Sequence, residues 1–101
     1  LLALALAAAS AAADFSALQP QGFVSDFARV LNPAHRAELE RYCSRVQALT
    51  GAEIAMVTVP TLDGEPIEDV ANSLYRRWGI GKKGKDEGVL FLLVPRDRRM
   101  R

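Results

Sequence analysis

One cysteine, one histidine and one tryptophan are all that this 101-residue chain carries of those three residue types. A single thiol forms no internal disulfide. A single imidazole leaves no Ser-His-Asp or Cys-His set to assemble with confidence and no histidine-rich metal cage. Charge of one sign is scarce as well. Thirteen Lys and Arg stand against 12 Asp and Glu, a formal net charge of +1, so no global field draws the chain to nucleic acid or to an anionic membrane. No apolar run reaches the roughly 20 residues that a membrane-spanning helix needs. The hydrophobic share is nonetheless 50% and the charged share 25%, the balance of a globular chain rather than a disordered one. The length suffices for one domain.

Residues 1–13 contain only Leu, Ala and one Ser. That is too short to span a bilayer but fits the apolar core of a secretory signal, about 7–15 residues long. Ala11-Ala12-Ala13 supplies the small residues of a cleavage site, which places the mature start at Asp14. The chain does not begin with Met and stops in an Arg-rich run, so both ends read as cut and the domain as incomplete at its C-terminus. The expected layout is a signal-peptide remnant at 1–13, a flexible leader at 14–22 and one domain at 23–101.

Within the domain, residues 23–31 mix apolar and charged side chains and are expected to pack irregularly. Asn32-Pro33 is a helix start, since Asn is a good N-cap and Pro loses no needed hydrogen bond at the first helical position. Leu39, Tyr42, Cys43, Val46 and Leu49 then recur at helical spacing, with Arg36, Glu40, Arg41 and Arg45 on the other face. Cys43 on that apolar stripe reads as a small buried hydrophobe rather than a reactive thiol. Thr50-Gly51 ends the helix. Residues 54–59 form a β-branched apolar run closed by Pro60, the pattern of a buried strand. Pro66 opens a second helix whose stripe is Ile67, Val70, Ala71, Leu74, Tyr75 and Trp78. Residues 89–94 are apolar on both faces and read as a second strand parallel to the first. A turn at 95–98 leads to an antiparallel third strand beginning at Arg99. The fold class is therefore α/β: a small mixed sheet with helices on both faces, an α/β/α sandwich.

The glycine-rich stretch 78–88 invites two phosphate-site readings. Gly79, Gly81 and Gly84 match G-x-G-x-x-G, and 79–85 matches most of a P-loop, with Asp86 where Ser or Thr would hold magnesium. Both motifs need a strand before and a helix after. Here a helix precedes and a strand follows, which argues against a nucleotide. The basic run Arg96, Arg98, Arg99 and Arg101 has no interleaved aromatics and reads as a solvated hairpin tip, so no nucleic-acid partner is expected. His35 lies alone near a helix start and reads as a surface residue. Carboxylates at Asp26, Asp63, Asp86 and Glu87 offer oxygen donors to a hard cation such as calcium. Each is also a natural turn or cap residue, the reading favoured for Asp63. Asp63 follows the first strand, at the sheet edge where open α/β folds bind ligands, whereas Asp86 precedes the second strand at the opposite edge. Asp26, Asp63 and Asp86 are thus candidate metal ligands that do not all share one site.

Four blocks together resemble the TPM-domain family. They are 23–31 (Phe-Val-Ser-Asp-Phe-Ala-Arg-Val-Leu), 50–60 (Thr-Gly-Ala-Glu-Ile-Ala-Met-Val-Thr-Val-Pro), 67–81, which ends in Trp-Gly-Ile-Gly, and 82–94 (Lys-Lys-Gly-Lys-Asp-Glu-Gly-Val-Leu-Phe-Leu-Leu-Val). Glu87 departs from the family's usual Asp-Asn-Gly or Asn-Asn-Gly before the second strand. The resemblance implies an α/β/α sandwich exported to the periplasm, the cell envelope or the thylakoid lumen, and a later membrane helix that anchors many members. Some members are described as weak acid phosphatases, and calcium has been associated with the fold. Other relatives resemble accessory proteins of membrane complexes. By position the resemblance points to Asp26, Trp78 and Asp86. Two functions follow as expectations. One is an envelope module that binds a partner or assists a membrane complex without robust catalysis. The other is a weak metal-dependent phosphatase, with Asp26 and Asp86 on calcium or another divalent cation and Lys82, Lys83 or Lys85 neutralising phosphate charge. Trp78, Lys82 and Lys85 are the candidate binding residues.

Overall fold

A computed structural model of the chain describes residues 15–81, 87–96 and 99–101. The segment 1–13, Lys82, Lys83, Lys85 and Asp86 lie outside the described residues. The elements run in the order 3-10 turn (Phe15–Ala17), β1 (Val24–Asp26), α1 (Pro33–Thr50), β2 (Glu53–Thr58), α2 (Ile67–Arg77), β3 (Gly88–Val94) and β4 (Arg99–Met100). They form one four-stranded sheet in the order β1-β2-β3-β4. The first three strands are parallel and β4 is antiparallel to β3. The α/β fold class, with a small mixed sheet and a helix on each face, is what the sequence led us to expect.

Local chemistry explains the element ends. Asn32 accepts the His35 N–H at 2.8 Å in its side chain, and Pro33 opens α1. Gly51 closes the helix by donating its N–H to the Gln47 carbonyl at 2.8 Å. In α2, Glu68 and Asp69 lie in the first turn and Arg76 and Arg77 in the last, each set complementing the nearer pole of the helix dipole.

The two helices take opposite faces. Ile67, Val70 and Leu74 of α2 form the main core with Val57, Val59, Leu62, Leu92 and Val94. Full burial of an aliphatic side chain contributes about 2 kcal/mol, and Leu74 and Leu92 are both wholly buried. On the other face, α1 places Leu39 near Val24, Met56 and Phe91 and buries Cys43 completely. Because the parallel strands follow one another in sequence order while their helices lie on opposite faces, the two crossovers have opposite hands. One of them therefore departs from the usual right-handed connection.

Three features differ from the sequence reading. Residues 23–31 contribute the edge strand β1 instead of packing irregularly, because Val24, Ser25 and Asp26 pair in register with Met56, Val57 and Thr58. Phe15 and Leu18, in the stretch expected to be a leader, pack against the α2 core. β3 is apolar on both faces as expected, yet α1 reaches only part of its side of the sheet. Val89, Phe91 and Leu93 are 47%, 45% and 38% exposed. No helix among the described residues is long and apolar enough to cross a membrane.

Candidate functional site

Asp26 sits at the carboxyl end of β1, directly opposite Thr58 at the same end of β2. This is the edge at which parallel α/β sheets bind ligands. Its side chain is only 7% exposed, so its charge must be met by donors from the protein. Oδ1 accepts the Thr58 hydroxyl at 2.6 Å and the Val30 N–H at 3.2 Å; Oδ2 accepts the Leu31 N–H at 3.0 Å. The Thr58 hydroxyl oxygen in turn accepts the Ala28 N–H at 3.0 Å. Burial pushes the carboxyl up. The Thr58 hydroxyl, the Leu31 and Val30 amides and the Arg36 guanidinium outweigh that and hold it below the ordinary carboxylate range. Asp26 thus ties the 27–31 turn to β2 as a fixed anion, and Arg29 takes positive φ within that turn.

Among the described residues, the other sequence-derived carboxylates are not gathered around it into a cage. Asp63 lies in the exposed turn after β2, with φ of 52°, and donates its N–H to the Thr61 hydroxyl at 3.2 Å. Glu87 lies at the opposite, amino edge, where its carbonyl accepts the Glu53 N–H at 3.0 Å. Asp86, Lys82 and Lys85 lie outside the described residues. Calcium takes 6–8 oxygen ligands. Among the described residues no three of His, Cys, Asp and Glu come together. A carboxylate offers about four lone pairs, and three of those on Asp26 are already engaged. The described residues therefore do not build a calcium cage.

Trp78 ends α2 at the amino edge. Its indole N–H donates to the Leu18 carbonyl at 3.2 Å, and its ring meets Phe27 edge to face at 6.3 Å. Trp78 also lines an open cleft of about 520 Å³ with Gln21, Glu40, Gln47 and Glu53. A close backbone crossing lies at the same edge of the sheet. Gly81 donates its N–H to Glu53 Oε1 at 3.0 Å, and Gly81 and Gly88 approach so nearly that neither has room for a Cβ.

Two contributors escaped the sequence reading. Thr58 was only a strand residue, and Glu40 was assigned to the solvent face of α1. Glu40 instead turns toward β1 and accepts the Phe23 and Val24 N–H groups at 2.7 and 3.0 Å. The spacing of Arg36 and Glu40, four apart and so on one helical face, was the available signal. Cys43 fits its sequence reading. It is buried, and burial together with the Glu40 carboxylate pushes its thiol up. Native protein should accordingly resist a thiol reagent until denaturant is added; rapid labelling of the folded chain would contradict this placement.

Residues 24–101 match the family model of the TPM domain, so the chain belongs to the TPM-domain family. It is also similar to a solved structure, the solution NMR structure of the N-terminal domain of a protein from P. gingivalis, with a TM-score of 0.72 and 32% identity. That likeness covers 78% of this chain and 50% of the other, so the chain spans half the length of that neighbour. No curated protein matches.

Proposed function

We propose that this TPM domain works outside the cytoplasm as a binding module that docks onto an envelope protein or a membrane-bound complex, without robust catalysis. The observation that carries this reading is the engagement of Asp26. The candidate carboxylate at the ligand-binding edge is buried, ionised and occupied by the Thr58 hydroxyl and two backbone amides. A general base or nucleophile must instead present its oxygen to a substrate. Export is supported by the apolar, small-residue segment 1–13, and docking through a membrane-proximal position is the family's implication.

The full-length protein tests the proposal. Its mature form should begin at Asp14 and fractionate with the cell envelope. Its melting midpoint should not move as calcium is titrated in, because a ligand that binds only the folded state raises that midpoint by mass action. It should not hydrolyse p-nitrophenyl phosphate above the buffer rate. Turnover that Asp26→Asn abolishes, with the variant still folded by circular dichroism, would replace this reading with the metal-assisted phosphatase.

A further inference from the structure

We draw no further inference here: the strongest candidate, the exposed apolar stretch of the sheet beside α1 formed by Val89, Phe91 and Leu93 of β3 and Met100 of β4, carries nothing because nothing in the structure shows what covers it.

Discussion

Replacing Asp26 by alanine is expected to cost about 3 kcal/mol of folding stability, read as a loss of urea midpoint at unchanged slope. The carboxylate receives the Thr58 hydroxyl and two amides from the 27–31 turn. Hydrogen bonds to a charged group contribute about 1.5–3 kcal/mol each, but the turn relaxes into water once the carboxylate is gone, so the sum is not reached. Asp26→Asn should cost less, about 2 kcal/mol, because one oxygen remains while its amide NH2 meets a backbone donor. The pH dependence has a definite sign. The folded carboxyl is held below its ordinary value of 3.8. Its contribution is therefore fully present above that value and is lost as pH falls through the lower, folded one. The stability gap between wild type and Asp26→Asn should be wide at neutral pH and shrink below about pH 4. A gap of the same size at both pH values would show that Asp26 acts through shape alone.

That Asp26 mattered was legible in the sequence, but its task was not. An isolated acidic residue in an apolar stretch has the same appearance whether it holds a cation or caps a turn. The decision lies with Thr58, 32 positions away and brought opposite only by strand pairing. β1 itself was hidden for a related reason. Three residues carry no periodicity, and Val-Ser-Asp has little strand preference, so the strand exists because β2 offers a ladder and α1 supplies side chains to its outer edge. The apolar runs at 54–59 and 89–94 were legible because a strand inside a parallel sheet reads as a short unbroken apolar stretch, and the α2 stripe because its apolar residues recur at helical spacing. Helix periodicity assigned Glu40 to solvent because it counts polar side chains as outward. It has no means to register a carboxylate whose partners are main-chain N–H groups.

Gly88→Ala is expected to destabilise the fold by about 2–3 kcal/mol, against the usual direction for a strand glycine. Elsewhere in a strand the exchange removes freedom from the unfolded chain and gains about 0.4–1 kcal/mol. At position 88 the added methyl would stand 2.8 Å from Ile80 Cγ2 and 2.9 Å from both the N and Cα of Gly81. Ile80 is 3% exposed and has little room to turn away, and the other two contacts are backbone. Relief requires the 79–81 segment to lift off β3, which also breaks the Gly81 N–H bond to Glu53. Gly79→Ala is the internal control. Position 79 has φ of +66° but open space around the missing Cβ, so only the conformational cost of about 1 kcal/mol applies. Urea unfolding of the two variants at one pH separates the effects, and a Gly79→Ala loss equal to that of Gly88→Ala would mean that backbone conformation, not contact, sets the requirement. The larger loss at 88 would give the Trp-Gly-Ile-Gly signature a physical meaning. Its second glycine and the one that opens β3 are a matched pair, each bare so that two backbones can touch where the segment after α2 crosses the start of β3.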